Sequence, residues 1–307
     1  MEANRNKLIV KASWVAIVGN AILSALKIVI GLFSGSFAVV ADGIDSASDV
    51  VTSFITLITA RILIKPPNIK YPYGYNKADT IATKLLSFII FFAGAQLGIS
   101  TISDLMYSKV REMPSSMAIY VTIFSIGGKL LLSLYLKKVG HKTQSEMLKA
   151  NARNMTNDIL ISFSVLAGLF FTIVLEMPIL DRITALAVSI FIMKAGFEIF
   201  METSRDLMDG MQDTEIYQQI FESVAKVEGA YNPHRTRVRK LGSLYVIGID
   251  IEVDGDLSLN QAHLIAHQVE ESIRRDIENI YDIVVHTEPI GMEDSDEKFG
   301  ISHKDVM

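Results

Sequence analysis

Three aspartates, Asp42, Asp45 and Asp49, interrupt an otherwise apolar stretch of the chain. Their spacings of three and four residues place them on one face of a helix, about two turns long. A charge at mid-span costs about 2.5–3.5 kcal/mol to insert, so a lipid-facing position is unfavourable. The pattern predicts that these carboxylates face a polar interior, a water-filled cavity or a cation. The alternative is a wet helix end at the membrane surface.

A second polar pair, Asn154 and Asp158, precedes the apolar run 159–175. Residues four apart share a helix face, and alone the pair fits a solvated helix start equally well. Facing Asp45 and Asp49, it would complete a set of oxygen ligands suited to a divalent cation. We call this set the quartet; its members are Asp45, Asp49, Asn154 and Asp158. Asp42 is an accessory candidate.

The elements that must position these residues are membrane helices. Half of the 307 residues are hydrophobic, and the mean hydropathy of +0.34 predicts membrane spans. Each of six apolar stretches can cross a hydrocarbon core of about 30 Å as a helix. They lie at roughly 10–33, 36–62, 82–107, 116–137, 148–175 and 178–202. Basic residues near their ends number eleven on one side and three on the other, which predicts that both termini are cytoplasmic.

After about residue 205 the pattern changes to that of a small α+β domain. Helices are predicted at Thr214–Val227 and Leu257–Arg275, with strands at Arg235–Lys240, Leu244–Val253 and Asp282–His286 and a turn at 241–243. We therefore expect a transmembrane domain at 1–205, a cytoplasmic domain with a three-stranded sheet at 206–290, and a disordered tail at 291–307.

Composition excludes several classes of function. Cysteine is absent, so thiolate metal sites and disulfides are excluded. A net charge of −5 argues against a nucleic-acid partner. Paired aspartates alone suggest a hydrolase, but the sequence has no nucleophile–base set and no phosphate loop. A membrane-anchored interaction protein remains an alternative. Within the spans, Lys27, Lys129 and Lys194 should snorkel or pair with interior acids.

Taken together, these motifs resemble the cation diffusion facilitator family of metal exporters. That family has six spans, a D-x-x-x-D motif on the second, a metal-binding pair on the fifth, and a cytoplasmic metallochaperone-like (ferredoxin-like) domain. The matching segments here are Asp45–Asp49, Asn154–Asp158, Gly31–Asp42, Tyr71–Asp79, Gln261–His263 and Val285–Pro289. They are distributed over roughly residues 8–290.

The resemblance implies a homodimer in a cell (plasma or inner) membrane that exchanges a divalent metal for protons, without a prosthetic group. Asn154 stands where the family's zinc transporters usually have histidine, and an all-oxygen quartet favours Mn²⁺. A zinc or iron exporter is the alternative. The resemblance also implies a charge interlock between Lys77 and Asp209. It further implies regulatory metal binding in the cytoplasmic domain, with candidates Asp250, His263, His267, His286, Glu288 and His234.

Overall fold

The structure is a computed structural model that describes residues 2–63, 65–107, 113–143, 145–211, 214–242, 244–291 and 299–306. Six long helices come first: α1 (Glu2–Ser34), α2 (Phe37–Leu63), α3 (Ala78–Tyr107), α4 (Met117–Thr143), α5 (Glu146–Val174) and α6 (Ile179–Leu207). Five of them are long and apolar enough to cross a membrane. The remaining one, α2, carries the three aspartates. The chain thus has a helical membrane domain with five or six transmembrane helices.

Helix α2 packs between α1 and α5, and α4 packs against both of those helices. The N-terminus of α2 is held by Asp181, which accepts hydrogen bonds from the Ser36 hydroxyl (2.6 Å) and the Phe37 amide (2.8 Å). Helices α3 and α6 approach closely at glycines. A Cβ on Gly196 would lie 2.8 Å from the Phe91 amide nitrogen, so only glycine allows this approach. This packing places one face of α2 opposite α5.

The second compact unit comprises residues 65–81 and 202–307. Its elements are α7 (Glu215–Val224), β1 (Tyr231–Leu241), β2 (Leu244–Val253), α8 (Leu259–Asp276), β3 (Ile280–Pro289) and α9 (His303–Val306). The sheet order is β1-β2-β3, with β1 antiparallel and β3 parallel to β2. Apolar side chains of α7 and α8 cover one face of the sheet, as alternating burial in the strands requires.

The α+β prediction is confirmed, and β2 has the predicted bounds. The ends of the other elements shift by one to four residues, and Ser243 of the predicted turn lies outside the described residues. The expectation of a disordered tail does not hold for 299–306. There Ile301 packs against the core and exchanges two 2.9 Å backbone hydrogen bonds with Thr236 of β1. Residues 292–298 and 307 lie outside the described part of the chain.

Candidate metal centres

The transmembrane centre is formed where α2 faces α5. The carboxyl groups of Asp49 on α2 and Asp158 on α5 both approach one atom, the Lys129 Nζ, at 3.9 Å and 3.0 Å, and Asp45 lies one turn before Asp49 on α2. The Asp158 side chain is 15% exposed and the Asp49 side chain is 44% exposed, so the two carboxylates are partly accessible to solvent. Asp49 and Asp158 are therefore neighbours, and neighbouring carboxylates are what a divalent cation site requires.

The fourth member of the quartet is less enclosed. Asn154 lies one turn before Asp158 on α5, and it is exposed in the single chain. Its neutral amide adds no charge and can present an oxygen to a metal. The structure therefore brings Asp49 and Asp158 together, with Asp45 one turn away on α2, and Asn154 is exposed one turn from Asp158 on α5.

A lysine from α4 enters the same cluster. The Lys129 Nζ lies 3.0 Å from Asp158 Oδ2 and 3.9 Å from Asp49 Oδ2, and the side chain is 0% exposed. Lys129 thus pairs with interior acids, which is one of the two outcomes predicted for lysines within the spans. Lys194 is different, since it is largely exposed and lies 3.6 Å from Glu198 on the same helix.

Asp42 belongs to a separate buried network. Its Oδ2 lies 2.7 Å from the Nζ of Lys27, and its Oδ1 accepts a 2.8 Å hydrogen bond from the Ser162 hydroxyl. Lys27 also donates to Ser162 at 2.9 Å and to Ser46 at 3.3 Å. This network joins α1, α2 and α5, and it neutralises the Asp42 charge. Its chemistry is that of a structural ion pair.

The second centre lies on the three-stranded sheet. Cross-strand pairing places His234 opposite Asp250 and Asp250 opposite His286, and Glu288 follows His286 by two residues on the same face. Ligand atoms of three residues lie within 4.8 Å of one another and could hold a metal ion: His234, Asp250 and Glu288, which we call the sheet cluster. The His234 Nε2 is 3.5 Å from one Glu288 oxygen, and the His286 Nε2 is 3.3 Å from the other.

Asp250 in the sheet cluster also has a basic partner. The Arg235 Nε lies 3.0 Å from Asp250 Oδ2, and Arg235 has a left-handed backbone conformation (φ 49°) at a β-bulge. Burial raises the pKa of Asp250, while the charges of Arg235 and then His286 act in the opposite direction. A metal bound here would compete with the arginine for this carboxylate.

The remaining predicted residues fall outside the sheet cluster. His263 and His267 are exposed on α8, where His267 lies 3.5 Å from Glu271 rather than in a ligand group with His263. The assignment of His263 and His267 as cytoplasmic ligands therefore stays a prediction. The Lys77 Nζ lies 2.6 Å from Asp209 Oδ1 within the second unit, and the Arg239 guanidinium is 3.8 Å from the other oxygen.

Sequence reasoning missed two features of these centres. It did not identify which acids pair with Lys129, because the orientation of α4 toward Asp158 depends on helix rotation. It also missed Arg235, whose pairing with Asp250 depends on the β1–β2 register. Neither basic residue is near its carboxylate partner in the sequence, so no local pattern indicates the pairing.

A helical membrane unit with clustered carboxylates, followed by a small α+β domain, defines a multi-pass cation transporter. Residues 13–208 match the cation efflux transmembrane domain, and residues 212–290 match the cytoplasmic domain of cation efflux proteins. The chain therefore belongs to the cation efflux family, which the sequence motifs resemble. It is a divalent cation exporter with a cytoplasmic C-terminal domain and not an enzyme, and the family's dimer-forming cytoplasmic domain implies a homodimer.

The similarity to two named proteins extends over nearly the whole chain. The manganese efflux system protein MneS of Bacillus subtilis is 31% identical over 281 residues, covering 90% of this chain and 94% of its own. The manganese efflux system protein MneP of the same organism is 28% identical and covers 94% and 99%, respectively. The solved metal-bound C-terminal domain of the CzcD transporter from Thermotoga maritima is 35% identical, covers 27% of this chain and 100% of its own, and has a TM-score of 0.26.

Proposed function

We propose that the protein exports Mn²⁺ in exchange for protons, with the quartet as its transport site and alternating access of that site to the two sides of the membrane. The observation that carries this proposal is that Asp49 on α2 and Asp158 on α5 converge on one buried atom, the Lys129 Nζ, at 3.9 Å and 3.0 Å. Two ligand pairs on neighbouring helices can be separated or joined by a small helix movement. Such a movement changes access without rebuilding the site.

The choice of metal follows from the ligand atoms. Every quartet member offers oxygen, and oxygen ligands favour hard ions such as Mn²⁺ over Zn²⁺, for which imidazole is better suited. Two relatives at about 30% identity are named as manganese efflux proteins, which agrees with this assignment. Zn²⁺ and Fe²⁺ remain the alternative substrates.

Proton coupling would involve the carboxylates themselves. The quartet contains no imidazole, so its titratable ligands are Asp45, Asp49 and Asp158. Protons arriving from outside remove the negative charge that holds the metal and favour its release. Asp42 takes no direct part in this scheme, because Lys27 and Ser162 already occupy its oxygens.

We further propose that the sheet cluster binds a regulatory metal ion. Its imidazole and carboxylates suit Zn²⁺ as well as Mn²⁺, and His286 could join when the ion binds. His263 and His267 remain candidate ligands only for a second ion. The Lys77–Asp209 pair would tie the 65–81 loop to the end of α6, as a charge interlock.

The proposed placement is a cell (plasma or inner) membrane with both termini cytoplasmic. The proposed domain bounds are 1–205 and 206–290, and the proposed assembly is a homodimer formed through the cytoplasmic domains. The resulting interface would keep two regulatory sites close together.

The test is metal uptake into proteoliposomes under an imposed proton gradient, comparing Mn²⁺, Zn²⁺ and Fe²⁺. We expect Mn²⁺ to move fastest, Asn154→His to admit Zn²⁺, and collapse of the gradient to stop uptake. Glu198→Gln, a carboxylate change on an exposed helix face, is the control and should transport normally. Preferred Zn²⁺ transport by the unmodified protein would refute the manganese assignment, and insensitivity to the gradient would refute antiport.

A further inference from the structure

Lys129 is a buried cation at the centre of the proposed transport site. The side chain is fully buried, and its Nζ makes ion pairs with two carboxylates of the quartet, at 3.0 Å to Asp158 and 3.9 Å to Asp49. An ammonium group is costly to bury without a partner. The acids of the quartet therefore stabilise the charge of Lys129. In turn, the ammonium of Lys129 supplies a positive charge beside the carboxylates, as a bound metal ion would.

The two contacts are unequal. Lys129 donates a hydrogen bond to Asp158 Oδ2, whereas Asp49 Oδ2 is buried and has no hydrogen-bond partner among the described residues. A buried carboxylate oxygen without a donor is unfavourable, and a metal ion would satisfy it. The lysine thus offsets one carboxylate charge of the quartet, and Asp49 Oδ2 is left as an acceptor for the substrate.

Charge balance points the same way. The three carboxylates of the quartet have a formal charge of −3, Asn154 is neutral, and the ammonium of Lys129 brings the formal charge of the cluster to −2. Without Lys129 the formal charge would be −3, and a low-dielectric surrounding would make its attraction for a divalent cation stronger.

We propose that Lys129 is a built-in counter-cation that competes with the transported metal for Asp158 and so keeps metal affinity low enough for release. The metal displaces the ammonium from Asp158 on binding, and the ammonium returns as the metal leaves. Lys129 thus acts as a positioning residue for the Asp158 carboxylate. This inference rests on the proposed assignment of the quartet as the transport site.

Two substitutions should change affinity in opposite directions. Lys129→Met removes the competing charge while keeping much of the volume, so Mn²⁺ should bind about tenfold more tightly, with lower KM and lower kcat. Lys129→Arg keeps the charge and adds a forked donor for Asp158, so KM should rise about threefold with kcat retained. Lys194→Met, an exposed lysine change in α6, is the matched control and should leave both constants unchanged.

The measurements are Mn²⁺ binding to the detergent-solubilised full chain and Mn²⁺ uptake into proteoliposomes, in a His234→Ala background that disables the sheet cluster. Tighter binding in Lys129→Met together with weaker binding in Lys129→Arg supports competition. Unchanged or weaker binding in Lys129→Met overturns it. If Lys129→Met does not fold, Lys129→Arg decides: raised KM with retained kcat supports competition, and reduced kcat or unchanged KM contradicts it.

Asp49→Ala in the same assays separates this inference from the proposed function. Loss of Mn²⁺ binding in Asp49→Ala with no effect of either Lys129 variant would overturn only the role of Lys129. Full Mn²⁺ binding and uptake in Asp49→Ala would overturn the transport site and the inference together.

Discussion

The transmembrane quartet and the sheet cluster use the same electrostatic device with different ligands. In each, a basic side chain lies 3.0 Å from one carboxylate: Lys129 from Asp158, and Arg235 from Asp250. The quartet offers only oxygen and lies among helices, whereas the sheet cluster includes imidazole and lies on strands. Lys129 is fully buried and Arg235 is 21% exposed. The different ligand atoms should thus make the two sites prefer different metals. The burial of each basic residue should determine how strongly it competes with a metal for the neighbouring carboxylate.

The largest expected effect distinguishes transport from regulation. Asp49→Ala removes one of the carboxylates proposed to bind the metal directly, so initial Mn²⁺ uptake should fall by about 100-fold or more. His234→Ala disables the sheet cluster and should change uptake by only about fivefold, since an effector site acts through a coupling free energy. Uptake into proteoliposomes at matched protein density measures both. Equal losses in the two variants would remove the distinction between the centres.

The next effect concerns stability and compares a buried ion pair with an exposed one. Lys27→Met leaves Asp42 charged and buried without its partner, so the free energy of unfolding should fall by about 3–5 kcal/mol. Lys77→Met breaks the exposed pair with Asp209 and should cost at most about 1 kcal/mol. Denaturant titration in mixed micelles would measure both values.

The double variant Lys27→Met/Asp42→Asn is the control for the buried pair. It removes both charges while an amide can still accept the Ser162 hydrogen bond, so it should recover most of the lost stability. A double variant as unstable as Lys27→Met would show that the lysine stem, rather than the charge pair, holds α1 against α2.

Periodicity in the sequence was sufficient to predict the helices and to place Asp45 and Asp49 on one helix face, because a spacing of four residues is about one helical turn. The quartet as a transport site stays a prediction. Periodicity could not predict the partner of Lys129, since the rotation of α4 depends on packing against α5. The sheet cluster was harder, because a one-residue change of strand register moves a side chain to the other face. His234, Asp250 and His286 align across three strands only in the observed register.

A smaller effect compares the two competing basic residues. Arg235→Asn should tighten Zn²⁺ binding to the sheet cluster about threefold, less than the gain expected for Lys129→Met, because water screens the partly exposed arginine. Asparagine tolerates the left-handed backbone of this position (φ 49°). Calorimetric titration of the full chain in an Asp49→Ala background isolates this site. Arg237→Asn, an exposed change two residues further along β1, should leave the affinity unchanged.

The smallest effect lies away from both centres and tests whether an acid–base pair without metal ligands behaves as a simple salt bridge. Hydrogen bonds from Lys226 and Ser223, both 2.8 Å, lower the pKa of Asp276 to about 2 from an ordinary value of 3.8. A lowered pKa in the folded state contributes stability above pH 3.8 that disappears as the pH falls toward 2. Asp276→Asn should therefore be less stable than the unmodified protein at pH 6 and equal to it near pH 2. Thermal unfolding across this range measures the difference. A gap that persists at pH 2 would mean that packing rather than charge links α8 to the end of α7.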